Sequence, residues 1–418
     1  MSRKILSPIL PIFALILLFA ACNGNEEYAT LAAEPEYNEI NLLEEESEGE
    51  PEEEPQAAIA DEYEEYYTLP IDPWNPDNFI HLRQPQPLQY ATHGEIALTH
   101  IEFISDNLYA RMPFTYREKE AAIWIVEELL AMGYSWDNIE IQEFYLYDPF
   151  VENAVSGHPR DWVSIWGAED FLLRNYSQNI ILMVPGQSER KIIVGAHYDS
   201  ISYAGASDNA SGMGLLLESA QRLLYMDNYH TIIYVFFGAE EIGLTGARVY
   251  YSNLTQQERD NIVMMINADS LLEGEHLVYG VGYVDSAPQN PPLALAFFPV
   301  PIHQNEITET VSAVAQGVRE NHDVQISTAP EIILAPTDHL VFAQHGHVVV
   351  NFFGAYSADY YEFEDWAIAR YEDYALTFQL LHTPRDDFHY INENWPYKMG
   401  ETMRTFSLLL EALLLAEY

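Results

Sequence analysis

Between residues 178 and 268 the chain repeats one pattern that leaves it few folds. Runs rich in Ile, Val and Phe, at Gln178–Val184, Lys191–Ala196, Thr231–Phe237 and Ile262–Ala268, alternate with helical spacing at Ser211–Tyr225 and near Thr245–Tyr251. Short runs that are apolar on both faces suit strands buried in a sheet, and helices between them make the crossovers. The alternation predicts an α/β domain. Flanking segments agree. Apolar residues three and four apart predict helices over Ile96–Asn107 and Arg117–Met132, the second closed by Gly133 as a left-handed cap. Ile139–Tyr147 and His347–Phe353 read as strands, and Thr308–Asn321 and Lys398–Glu417 as helices. Glu152–Asn175 fits neither pattern and reads as a loop or a cap over a site.

The 418 residues carry 18 Lys and Arg against 65 Asp and Glu, a formal net charge of -47. No basic stripe is available to neutralise phosphates, so the charge excludes nucleic acid as a partner. The N-terminus has the order of an export signal: Arg3 and Lys4, an almost wholly apolar run from Ile5 to Phe19, then Ala20-Ala21 before Cys22. Phe19-Ala20-Ala21-Cys22 resembles a bacterial lipobox, which implies that Cys22 is lipidated and becomes the first mature residue. Cys22 is the sole cysteine, so it has no partner within the chain for a disulfide. Residues 23–68 then lack Lys and Arg, and Glu44–Glu46, Glu48, Glu50 and Glu52–Glu54 form an acidic run broken by Pro51 and Pro55. Such a segment buries too little apolar surface to offset its ordering entropy. The expected organisation is a signal over 1–22, a disordered tether over 23–68 and one catalytic domain over 69–418. The expected location is the outer face of the cell membrane, anchored through Cys22, with plain secretion as the alternative.

Side chains able to bind metal stand where the predicted strands end. His197 and Asp199 close one strand, Asp208 lies at the turn opening the next helix, Glu240 and Glu241 end a second strand, and Asp269 ends a third. His382 and Asp386 come much later. In an open α/β sheet, loops beyond the carboxyl ends of the strands converge on the ligand. Taken singly, His197 could be a core histidine, Glu240-Glu241 a solvated turn, and Asp208 or Asp269 a helix cap. Jointly they ask for a cation, because carboxylates at the ends of several apolar strands repel one another.

In chain order the motifs are His-x-Asp, Ser-Asp-Asn-x-x-Gly, Glu-Glu, Asn-x-Asp and His-Thr-x-x-Asp, and with them the chain resembles the M28 family of zinc peptidases from about Ile96 to its end. The resemblance implies a three-layer α/β/α domain with a mixed, mostly parallel central sheet. It implies two zinc ions, with Asp208 bridging, His197 and Asp269 completing one site, and Glu241 and His382 the other. Glu240 would be the general base, and Asp199 would accept the spare N–H of His197. Asp338 and His339, in Thr337-Asp338-His339, resemble a Ser-Asp-His segment beside the site in relatives, implying substrate contact, with helix capping as the alternative. Some relatives carry Tyr just before the last histidine. Here that residue is Leu381, so the oxyanion donor would be another phenol or His339. The expected substrates are peptides cleaved at a free N-terminus. Glutaminyl cyclase chemistry on one zinc, or a peptide-binding lipoprotein without catalysis, are the alternatives. His345 and His347 are read as a turn, and His93, His100, His230, His276, His303, His322 and His389 as surface or packing residues.

Overall fold

In a computed structural model of the chain, the structure describes residues 91–145, 175–201, 203–274, 276–285, 301–355 and 380–418. The export signal with Cys22, the acidic tether, the start of the domain and the expected cap over 152–174 lie outside the described residues. Chain order begins with α1 (Glu95–Asn107), α2 (Tyr116–Met132), β1 (Ile139–Tyr145), β2 (Tyr176–Val184), β3 (Ser188–His197), α3 (Ser211–Leu223), β4 (His230–Phe237), α4 (Thr245–Asn253) and α5 (Gln256–Asp260). It continues with β5 (Ile262–Ala268), β6 (His276–Gly282), α6 (Glu306–His322), β7 (Ser327–Thr328), α7 (His339–Ala343), β8 (Val349–Ala355), α8 (Phe388–Asn394) and α9 (Lys398–Leu415).

The strands form one sheet in the order β1-β2-β4-β3-β5-β8-β6-β7. Its centre, β4-β3-β5-β8, is parallel, while β1-β2-β4 and β8-β6 pair antiparallel. The sheet is therefore mixed and mostly parallel, as expected. Alternation along the strands divides the core in two. Ile193, Ile233, Val235 and Met265 pack with Tyr250 and Ala247 of α4 and with Leu340, Val341 and Phe342 of α7. On the opposite face the Tyr234 hydroxyl lies 2.9 Å from Ser219 Oγ of α3, and Phe352 stacks on Phe406 of α9 at 5.3 Å. Helices thus cover both faces, giving three layers. Gly133 ends α2 at φ 117 as its sequence implies. Gly212 lets α3 start against the end of β5, since a Cβ there would stand 2.3 Å from the Ala268 carbonyl oxygen.

A half-buried histidine contributes to a pH dependence of the fold. His347 sits before β8 with Nε2 2.9 Å from the Tyr251 hydroxyl, and Tyr251 in turn stacks on His345 at 4.1 Å under Arg259. Burial, helped by the charges of His345 and Arg259, lowers His347 from 6.5 to about 4. Between those values the unfolded chain holds the proton and the folded chain does not, so stability falls as pH falls through that window. Denaturant midpoints should drop on acidification, and the slope for His347→Gln should be shallower by up to about one proton. An identical slope in the variant would remove His347 from the account.

Candidate metal centre

Parallel pairing brings three strand ends level, with His197 opposite Phe237 and Gly195 opposite Asn267. His197 closes β3, Glu240 and Glu241 follow β4, and Asp269 follows β5, so their side chains emerge on one rim of the sheet. Asp208 is delivered by the turn Ala206–Ala210, which leads directly into α3. Two bonds hold that turn: the Asn209 amide donates to the Ala268 carbonyl at 2.9 Å, and the Asn209 amide oxygen accepts from Gly212 N–H at 2.9 Å. His382 arrives from a segment that precedes α8.

The donors form two groups that share one carboxylate. His197 Nε2 lies 3.1 Å from Asp208 Oδ1 and 3.4 Å from Asp269 Oδ1, while His382 Nε2 lies 3.2 Å from Asp208 Oδ2 and 3.1 Å from Glu241 Oε2. Donors about 2.0–2.1 Å from one tetrahedral zinc stand roughly 3.3 Å apart, so both sets fit that ion in chemistry and in spacing. The structure brings together all five residues expected as ligands. Only His382 is substantially open to solvent, at 37% of its side chain. A separate group of Glu102, Asp106 and His389 is wholly exposed.

Around these donors lie residues that aim them. Asp386 is buried and accepts from the backbone N–H of Ser207 and, at 3.0 Å, of Asp208. It thereby ties the turn carrying Asp208 to the segment carrying His382. His197 Nδ1 is 3.2 Å from the Asp199 carbonyl oxygen and 3.6 Å from its carboxylate. The expected carboxylate contact is therefore the longer one, because the Asp199 carboxylate is engaged elsewhere, accepting from Glu240 N–H at 3.0 Å and Glu241 N–H at 3.1 Å. Arg111, fully buried, donates to the carbonyls of Tyr198, Leu108, Ala204 and Gly205 and so braces the loop between β3 and Asp208. Burial lowers its guanidinium to about 10 against the pull of Asp386, Asp199, Asp208 and Glu241, leaving it charged at neutral pH. Ala239, Ser270 and His382 have left-handed backbones at φ 55, 51 and 57, and each is one of the candidate donors or stands within two residues of one.

The field of the site is strongly negative. Desolvation opposes protonation of His197 and of the His382 nitrogen that faces the donors, although the rest of the His382 side chain is open, but Glu240 and Asp269 beside the first, and Glu241 and Asp208 beside the second, raise both well above 6.5. At Glu240 desolvation is the main cause of a pKa well above the carboxylate range. His197 opposes the rise, and the charges of Asp338, Glu241 and Asp269 add to it. The Asp338 side chain does not cap α7; its carboxyl is enclosed at 0% exposure, and burial raises it well above the usual carboxylate range. His339 is equally enclosed, with Nε2 3.0 Å from the Ile333 carbonyl, and burial holds it neutral at about 4. His345 and His347 stay apart from the donors, in the turn expected for them. Asp386 was legible as the last residue of His-Thr-x-x-Asp, whereas nothing local in the sequence marked Arg111.

Comparison with known proteins assigns the chain a family. The model of peptidase family M28 matches residues 179–407, more than half of the chain. The alkaline phosphatase isozyme conversion protein of Escherichia coli (strain K12) is 25% identical over 218 residues, 49% of this chain and 57% of that protein. Aminopeptidase YwaD of Bacillus subtilis (strain 168) is 36% identical over 97 residues, 22% of this chain and 21% of that one. The chain thus spans less than two thirds of either relative. Among solved structures, the zinc aminopeptidase BSAP of Bacillus subtilis superposes with a TM-score of 0.52 at 17% identity, covering 76% of this chain and 94% of that one. At such identity the likeness is one of fold.

Proposed function

Because the chain belongs to peptidase family M28, we propose that it is a zinc-dependent exopeptidase that removes residues from the free N-terminus of peptides, working with two metal ions. The observation that carries this reading is the sharing of Asp208 between two donor groups while Glu240, one residue from a donor, belongs to neither. His197 and Asp269 would hold one ion, Glu241 and His382 the other, and Asp208 both. When bound, zinc supplies a Lewis acid for the scissile carbonyl and lowers the pKa of water.

The chain's own residues do the rest. Asp199 fixes the backbone of Glu240 and Glu241, so the Glu240 carboxylate is held where it can accept a proton from the attacking water. The same group then returns the proton to the departing amine. Asp386 fixes Asp208, and the Asp199 carbonyl oxygen accepts from Nδ1–H of His197, leaving Nε2 as the donor toward a metal. The crowd of carboxylates supplies the anionic surface that a substrate's free ammonium group needs. Export and lipid anchoring through Cys22, with residues 23–68 as the tether, complete the proposal.

Metal content per chain, followed by hydrolysis of aminoacyl amides with and without chelator, is the test. Two zinc ions and chelator-sensitive release of the N-terminal residue are expected. One zinc with cyclisation of N-terminal glutamine would replace this reading by a cyclase, and metal without turnover would replace it by a binding protein.

A further inference from the structure

The turn that carries Glu240 is held by its N–H groups. Four successive backbone donors each meet a side-chain oxygen from elsewhere in the fold: Gly238 N–H donates to Asn179 Oδ1 at 3.1 Å, Ala239 N–H to Glu118 Oε1 at 3.1 Å, and Glu240 and Glu241 N–H to the two oxygens of Asp199. Asn179 comes from β2, and Asp199 lies two residues beyond the end of β3. Glu118 comes from α2, 121 residues before its partner.

At first sight Glu118 has a local task. Thr115 precedes α2, its hydroxyl accepts from Glu118 N–H at 3.3 Å, and Thr-x-x-Glu is the spacing of a capping box. In such a box the glutamate returns to the N–H of the capping residue. Here Oε2 accepts instead from Phe114 N–H at 2.8 Å, and Oε1 points away from the helix to take the Ser177 hydroxyl at 2.6 Å and the Ala239 N–H. The carboxylate is 1% exposed, and each of its oxygens has a donor.

Ala239 needs that hold. Its φ of 55 is left-handed, a conformation in which the Cβ of an L-residue crowds the following carbonyl oxygen. Were Ala239 to relax to negative φ, the next peptide would rotate and Glu240 would turn with it. On the far side the turn is fixed by Thr245 N–H on the Ala239 carbonyl and by Gly243 and Leu244 N–H on the Glu240 carbonyl. Glu118 supplies the corresponding restraint on the near side.

We propose that Glu118 is a positioning residue for catalysis, which holds Ala239 left-handed and thereby aims the Glu240 carboxylate at its proton. The inference rests on Glu240 being the general base. In Glu118→Gln the side-chain amide presents one oxygen and one NH2, so either Phe114 N–H or Ala239 N–H faces a donor in place of an acceptor. Misaiming a catalytic group by about 1 Å costs on the order of 100-fold, and supporting residues around such sites typically contribute 10–100-fold.

The test uses the full chain loaded with zinc. Glu118→Gln should lower kcat by about 10–100-fold, with KM and zinc content as in the wild type. Adding Ala239→Gly should recover much of the loss, because glycine takes positive φ without strain. Unchanged kcat, activity lost in proportion to zinc, or no recovery from the glycine would each overturn the proposal. If Glu118→Gln does not fold, Ser177→Ala, which removes one donor to the same oxygen, should lower kcat several-fold with zinc retained; unchanged kcat there would overturn it equally. Hydrogen exchange at Ala239 gives a readout that needs no turnover. Exchange faster by about tenfold or more in the variant is expected as this hydrogen bond opens, and an unchanged rate refutes the proposal even in a wild type that proves not to be a peptidase. Absence of peptide hydrolysis by the wild type, with fast exchange in the variant, would instead refute the assigned function.

Discussion

Replacing Asp208 with asparagine is expected to empty both metal positions at once, an effect no other single substitution at this site should match. Each Asp208 oxygen faces its own histidine, Oδ1 toward His197 and Oδ2 toward His382. Asparagine keeps one of those oxygens and puts an NH2 where the other stood, so one position loses a donor outright and the other loses a charge. The remaining carboxylates repel one another, and Arg111, which braces the neighbouring loop, donates to backbone carbonyls and not to them. Zinc measured after dialysis should fall from two per chain toward none, with turnover down by at least about 10³-fold, since both the Lewis acid and its acidified water are lost. His382→Ala is the contrast: it leaves His197, Asp208 and Asp269 intact and should cost one ion. Retention of both ions by Asp208→Asn would show that Asp208 is not shared.

Glu240→Gln should have the opposite profile, full zinc with almost no turnover. Glutamine preserves the shape of the side chain and the backbone bond from Glu240 N–H to Asp199, but it cannot take a proton. Positioned acid–base groups contribute about 10²–10⁴-fold, and kcat should fall by that much while KM changes little. Full activity in this variant would place the base elsewhere. Together the two substitutions separate holding metal from moving protons.

Much of this was legible in the sequence, for a physical reason. Ile262–Ala268 coincides with β5 in its bounds, and the other central strands differ by a few residues, because a strand buried on both faces must be apolar throughout. The candidate metal donors were legible because they are charged residues at the ends of such strands, where a chain otherwise avoids them. The strand β6 was not. Its sequence carries Gly280 and Gly282, and its strand state comes from antiparallel pairing with β8; Gly280 is glycine because a Cβ there would stand 2.6 Å from the Ala329 carbonyl oxygen. The short helix α8 was also missed, since its start depends on the Asp387 side chain accepting from Tyr390 N–H at 2.9 Å. Glu118 and Arg111 were invisible for a different reason. The contacts that give them their place, Glu118 on the N–H of Ala239 and Arg111 on the carbonyls of Tyr198, Ala204 and Gly205, are with backbone groups far along the chain, and backbone N–H and C=O are the same at every residue.

The bond from Asp386 to the turn of Asp208 also governs timing. A ribosome delivers Asp208 178 residues before the carboxylate that fixes it, and His382 is equally late. A second long closure runs through Glu218, which accepts from Gly94 N–H and from the Ser407 hydroxyl 189 residues downstream. Until those late residues emerge, a half-made chain has strands and helices but only a fragment of its reactive centre. The donor set is therefore completed by contacts of long sequence separation, and the centre is expected to close late in folding, after the sheet that carries most of its residues has formed.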